Sequence, residues 1–293
     1  MRRKETNLTH SKLANDLLNY INNHIETHIN IDHLAAEFGL SKFHFHRIFK
    51  EQTGSNIYET IRSVRLQKAS NLLITNKYST ITEIANMCGY SSQTSFIRVF
   101  KERFSQTPKL WRNGGYKAYS NAILSGTCDA LLTPTDFSHL EAKIVKTKPK
   151  SVYYIRQKGY NRQAVQIWQK MMAWVYTNEI EQYEQIAIYH DNPIITPLHE
   201  CSYVACIAPL DGKKLKNTSL PIFEMYDGLC ATFEVEGQYN DMLKLIQWVY
   251  HEWLPESGYE AITIPSYSIF EKNHFLSDDG VFKCTYYLPV RYV

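Results

Sequence analysis

The sequence predicts a multidomain chain. An all-α domain with two helix-turn-helix units in tandem comes first, followed by an α+β domain of two βαββ repeats. Three observations carry this. The first part of the chain writes one helix–glycine–helix pattern twice. The second part changes to short alternating segments in the order strand–helix–strand–strand, also twice. Charge divides at the same place: residues 1–117 hold 17 Lys and Arg against 9 Asp and Glu, and the remainder 15 against 20, within a total of +3. A basic first part joined to an acidic second part suggests that only the first faces phosphate.

The helical part reads in order. Leu13, Leu17, Leu18, Ile21 and Ile25 recur at helical spacing, which predicts an amphipathic helix from Ser11 to Ile25. Asn30 is placed to cap a helix that begins at Ile31, Gly39 to allow a turn at positive φ, and Ser41 to cap a helix from Lys42 to Gln52. Tyr58 to Leu73 carries Ile61, Val64, Leu66, Ala69, Leu72 and Leu73, a helix of roughly 25 Å that would space two similar units. Thr80 and Glu83 form a capping box for the second unit. There Ile84, Ala85, Cys88, Phe96, Val99 and Phe100 take the buried side, and Gln93, Thr94 and Arg98 the exposed one. Ile31, Leu34, Ala35, Phe38 and Gly39 match Ile81, Ile84, Ala85, Cys88 and Gly89 at one constant offset. After the turn the offset grows by one residue, so that Phe45, Arg47, Phe49, Lys50 and Glu51 match Phe96, Arg98, Phe100, Lys101 and Glu102. An apolar frame is common to any two helix pairs; a turn glycine followed by Arg-x-Phe-Lys-Glu is not.

Composition limits the function classes. No run of about 18 apolar residues supports a membrane span. The basic start lacks the apolar core of a signal peptide, and six scattered cysteines make no Cys-x-x-Cys pair. Reduced thiols in the cytoplasm are the expectation, with no metal site and no cofactor.

With the tandem frame, Arg-x-Phe-Lys and the following Gln-Thr-Pro-Lys in view, residues 8–115 closely resemble the DNA-binding domain of AraC/XylS-type transcription regulators. The resemblance implies seven helices, two of which enter successive major-groove segments on one face of DNA. The family's base-facing positions fall on Phe43, His46 and Arg47, then on Gln93, Thr94 and Arg98. The chemistry fits: Arg pairs with guanine, Gln with adenine, and Phe or a Thr methyl touches the thymine methyl. Lys42, Lys50, Lys101 and Lys109 would hold phosphates. Alternatives stand beside these roles: Phe43 in the core, Arg47 and Arg98 on phosphates, and His46 merely packed.

Residues 116–142 read as a linker rich in Ser, Gly, Thr, Pro and Asp. From Lys143 the period changes. Strands are predicted at Lys143–Gln157, broken at Pro149, and at Gln185–His190, Glu200–Ala208, Leu229–Glu236, Ile262–Phe270 and Val281–Pro289. Helices are predicted at Gln163–Thr177 and Tyr239–Trp253. Two βαββ units should pair about a pseudo-twofold axis and leave a cleft between their sheets. Fifteen of the 21 tyrosines and four of the five tryptophans lie after Gly126. Aromatics in such patterns serve a core more often than a ligand, yet Tyr160, Trp168, Tyr189, Tyr226 and Tyr267 fall near strand ends or helix starts, where a groove would open.

Gly159-Tyr160, His190-Asp191-Asn192-Pro193, the Trp253–Glu260 segment and the closing Leu288-Pro289-Val290 make residues 143–293 resemble a GyrI-like ligand-binding domain. Members of that family that bind cations or hydrolyse substrates carry a buried glutamate at the position that here holds Ser268. A hydroxyl cannot offset a buried cation, which favours a neutral ligand. Three readings stay open. One is a transcription regulator, expected to activate, that meets double-stranded DNA, RNA polymerase and a small aromatic or apolar effector. Another is a regulator whose second domain is only structural. A GyrI-like hydrolase is the third, and the lack of a nucleophile–base pair speaks against it; no catalytic residue is expected.

Overall fold

The computed structural model describes residues 2–126, 135–160, 164–210, 215 and 218–293. The middle of the expected linker (residues 127–134) and the expected helix start at Gln163 lie outside them. The chain forms two units, Met1–Asn113 and Gly114–Val293. No described helix is long and apolar enough to cross a membrane.

The first unit is helical: α1 (Arg2–Asn23), α2 (Ile31–Glu37), α3 (Lys42–Thr53), α4 (Ile57–Thr75), α5 (Ile81–Met87), α6 (Gln93–Phe104) and α7 (Pro108–Leu110). The first helix begins nine residues before the Ser11 that the apolar spacing indicates, because its leading turns are polar and carry no core signal. Caps act where the sequence places them. Asn30, Ser41 and Thr80 each accept a backbone N–H three residues on, and Thr80 with Glu83 closes a full capping box. α1, α2 and α3 bury Leu13, Leu17, Ile21, Leu34, Phe45 and Phe49 in one core. Under α6 the rings of Phe96, Phe100 and Phe104 pack in series, edge-on or tilted, against Trp111, whose indole N–H donates to the Ser70 carbonyl.

Both turns use a glycine at positive φ, +65° at Gly39 and +74° at Gly89, but their surroundings differ. A β-carbon on Gly39 would meet open space. One on Gly89 would overlap the Ile25 carbonyl oxygen and lie 2.8 Å from the Arg65 guanidinium. Gly39→Ala should therefore cost about 1–2 kcal/mol, the strain of the left-handed region alone. Gly89→Ala adds an overlap of the kind that costs about 1–3 kcal/mol more. Urea unfolding of the two variants checks this, and equal losses would contradict the close approach at Gly89.

The second unit opens with α8 (Tyr116–Ser125), so the expected linker begins as a helix. Its tyrosine ring meets His251, Lys117 pairs with Glu252, and Ser120 and Asn121 accept from Gln247. There follow β1 (Lys143–Lys146), β2 (Lys150–Lys158), α9 (Ala164–Thr177), β3 (Tyr183–Tyr189), β4 (Ser202–Pro209), β5 (Ile222–Met225) and β6 (Leu229–Gln238). Then come α10 (Tyr239–Trp248), a π-helical turn at Val249–Trp253, α11 (Leu254–Glu256), β7 (Tyr259–Ala261), β8 (Ser266–Lys272) and β9 (Val281–Tyr292).

The strands make one antiparallel sheet in the order β1-β6-β9-β8-β3-β4-β2-β5, with β7 added on β9. Two separate sheets with a cleft between them, as the sequence suggests, are not found; β3 and β8 pair directly over Gln185–Tyr189. The outer strands are joined as well. Lys143 faces Thr232, Lys146 faces Leu229, Lys150 faces Met225 and Tyr153 faces Ile222, the same register on both sides of a bend. Thr147 N–H donates to the Gly228 carbonyl at the bend between them. Residues 143–158 and 222–238 thus act as two bent strands that pair with each other, and the sheet closes into a ring. α9 and α10 lie on one face: Trp168 donates to Tyr203, Trp174 packs at a tilt on Tyr153, and Trp248 meets Phe233. The opposite face lines the inside of the ring.

His251 and His274 are buried in this unit, and burial lowers both imidazoles to about 4, with the Lys117 charge assisting at His251. They stay neutral in the folded chain and take up protons on unfolding. The stability they contribute is complete above pH 6.5 and is lost as pH falls toward 4. Each should steepen that loss by up to about 1.4 kcal/mol per pH unit. Thermal unfolding between pH 7 and 4.5 measures it, and His274→Phe should flatten the profile.

Candidate nucleic-acid interface and ligand groove

The exposed face of α3 follows from the buried one. With Phe45, Ile48 and Phe49 turned inward, Phe43, His46, Arg47 and Lys50 fall on one outward stripe at helical spacing. Phe43 is 80% exposed, so it belongs to this surface and not to the core. Lys42 pairs with Asp32 at 2.8 Å, which raises its pKa, and Arg47 reaches Glu51 at 4.0 Å. Both pairs are exposed, so each costs little to break. His46 is half-buried beside the Tyr58 ring, and burial, helped by the Lys42 charge, lowers its pKa. At neutral pH that favours the uncharged ring, with one donor and one acceptor.

On α6, Phe96, Phe100 and Phe104 are buried, and Gln93, Thr94, Arg98 and Lys101 are exposed. Lys109 on α7 is exposed too. The same offset that aligns the two helices carries Lys42 onto Gln93, Phe43 onto Thr94, Arg47 onto Arg98 and Lys50 onto Lys101. It also carries His46 onto Ile97, a half-buried residue on the outward stripe that the sequence analysis does not single out. The repeat itself held that signal. The two heads therefore offer different chemistry on one frame: a phenyl ring, an imidazole and a guanidinium on α3, and an amide, two methyl-bearing side chains and a guanidinium on α6.

In the second unit the six candidate ligand residues part onto two faces. Tyr160, Trp168, Tyr189 and Ser268 lie in the closed core beneath α9 and α10, not in a groove. Tyr160 packs among Tyr189, Tyr203 and Tyr239, and the Tyr189 hydroxyl is 3.2 Å from that of Ser268, which also reaches Met242. Tyr226 and Tyr267 line the inside of the ring. There the Tyr267 ring stacks on Tyr287, 4.6 Å away and nearly parallel, and Tyr154 meets Phe223 edge-on. Tyr226, Phe223 and Tyr287 are only partly buried, so this aromatic lining reaches solvent. The sequence reading missed Tyr154, Phe223 and Tyr287; cross-strand pairing of Tyr267 with Tyr287 fixes the last. Nearby, Glu184 is bound to Lys150, and Glu271 is exposed and bound to Lys283.

Known proteins share both parts. A family described as the GyrI-like small molecule binding domain matches residues 140–291, and one described as a helix-turn-helix domain matches residues 34–114. The probable transcription factor PqrA of Proteus vulgaris is 36% identical over 115 residues, which is 39% of this chain and 93% of PqrA. The xylose operon regulatory protein of Escherichia coli K12 is 38% identical over 96 residues, 33% of this chain and 24% of that protein. The transcriptional regulator Rob of Salmonella typhimurium is 40% identical over 100 residues, about a third of each chain.

Proposed function

We propose that this chain, which belongs to the AraC/XylS-type transcription regulators and carries a GyrI-like small molecule binding domain, reads DNA through α3 and α6 and responds to a small neutral aromatic ligand held inside the ring of strands. The observation that carries the DNA reading is the pair of outward stripes that one offset superimposes. Arg47 and Arg98 take the guanine-reading role, Gln93 reads adenine, and Phe43 and Thr94 meet thymine methyls. Lys42, Lys50 and Lys101 hold phosphates and set the docking. His46 contributes as a neutral donor or acceptor. Residues 8–115 are the DNA-reading domain and residues 143–293 the effector domain. Two βαββ repeats, β2-α9-β3-β4 and β6-α10-β8-β9, meet at the central β3–β8 pair, and the strand order is symmetric about that pair.

The ligand reading rests on Tyr226, Tyr267 and Tyr287, whose ring faces suit a flat apolar molecule. The carboxylate of Glu184 is occupied by Lys150, which disfavours a cation as ligand. A role outside catalysis fits the matched relatives, which are regulators, and the buried thiols. Burial lifts Cys230 to about 11, so it is no ready nucleophile. RNA polymerase is the expected second partner, with activation of transcription in the cytoplasm as the outcome.

Two measurements test these roles. On a duplex selected from a randomised library by the intact protein, Arg98→Ala should lose about 10- to 100-fold in affinity, with under about threefold lost on random duplex. Equal losses on both would make Arg98 a phosphate contact. In a fluorescence screen of flat neutral aromatics, Tyr287→Ala should abolish any saturable signal that Tyr160→Phe keeps. The reverse pattern would place the ligand under the helices.

A further inference from the structure

We infer that Arg65 is the positioning residue that locks the second reading head onto the first and so fixes the spacing at which the two DNA half-sites are read. The inference rests on the DNA-reading role proposed above and concerns a residue that touches no DNA in it. Arg65 stands on α4, the helix that joins the two helix-turn-helix units. Its Nε donates to the Ile25 carbonyl at 3.3 Å and its Nη2 to the Thr27 carbonyl at 2.9 Å, both in the loop between α1 and α2 of the first unit. The same guanidinium lies over the Tyr90 ring, 5.7 Å from its centroid, in the turn between α5 and α6. Gly89 of that turn leaves no room for a β-carbon between the Ile25 carbonyl and Arg65. One turn of α4 further on, Lys68 pairs with Glu26 and grips the same loop again.

Three elements thus converge on one planar group: the loop that leads into the first head, the spacer helix, and the turn that leads into the second. The fork geometry matters, because a guanidinium donates to two carbonyls in its own plane while its face remains free for a ring. An ammonium at this place does one or the other. Neither head's core depends on the contact, since Phe45 and Phe49 on one side and Phe96 and Phe100 on the other are closed without it. What depends on it is the distance and rotation between α3 and α6. DNA is sensitive to both: one inserted base pair moves a half-site by about 3.4 Å and turns it by about 34°.

The test uses the full chain and a bipartite duplex selected by it from a randomised library, rebuilt with one base pair inserted or removed between the half-sites. The native protein should lose at least about tenfold in affinity on either altered duplex. Arg65→Ala should bind a duplex with a single half-site as the native protein does, yet lose under about threefold on the altered spacings. Tyr90→Leu, which keeps both carbonyl contacts and removes the ring, should give the same relaxation to a lesser degree and serves if Arg65→Ala fails to fold. An unchanged, steep spacing preference in both variants would overturn the inference even if overall affinity fell. Selection of no bipartite site by the native protein would instead overturn the DNA reading beneath it, and this inference with it.

Discussion

Burial of one aromatic stripe on each short helix is the constraint on which the first unit depends. Phe45, Ile48 and Phe49 must face inward on α3, and Phe96, Phe100 and Phe104 on α6. Once those residues are committed, helical geometry leaves no freedom over which side chains project. The outward residues are then exempt from packing, and their chemistry is free to differ between heads. Phe43 shows the consequence: a phenyl ring left 80% exposed one turn from a phenylalanine core. Exposed large apolar groups are informative when they sit among polar residues on a designed face.

The second unit solves a different problem. β1 and β5 end the strand order and each pairs on one side only, but each is four residues long, and edges that short offer little to association. Here the bent strands 143–158 and 222–238 pair with each other in a single register, and the ring closes. Closure creates an inside distinct from the helix-covered face. That inside is lined by tyrosines whose rings find partners in one another. The second unit therefore holds two aromatic interiors, one sealed under α9 and α10 and one reaching solvent.

Much of this was legible in the residues. Cap residues, turn glycines, the tandem offset and nearly every strand after Lys143 follow from local rules that tertiary context did not override. The step from fold to site was harder. Tyr267 and Ser268 are neighbours in β8, and alternation sends them to opposite faces, so they could not both line one groove. Tyr267 comes from its place near a strand end and Ser268 from a family position, and neither signal carries the period that separates them. β5 escaped notice because Ile222–Met225 is a four-residue strand behind a proline, identifiable only by its register with β2. Ring closure is a pairing between distant segments and leaves no local trace. Ile97 joins the outward stripe only when the repeat aligns it with His46.

Everything proposed for the first unit turns on two helices of one chain reading DNA sequence. Mapping genome-wide occupancy of the intact protein beside an Arg47→Ala/Arg98→Ala double variant tests it most directly. One asymmetric bipartite motif should lie under the native peaks and be lost in the variant, with the variant still folded. Diffuse occupancy shared by both proteins would contradict it, and would leave the aromatic interior of the second unit as the place to look for function.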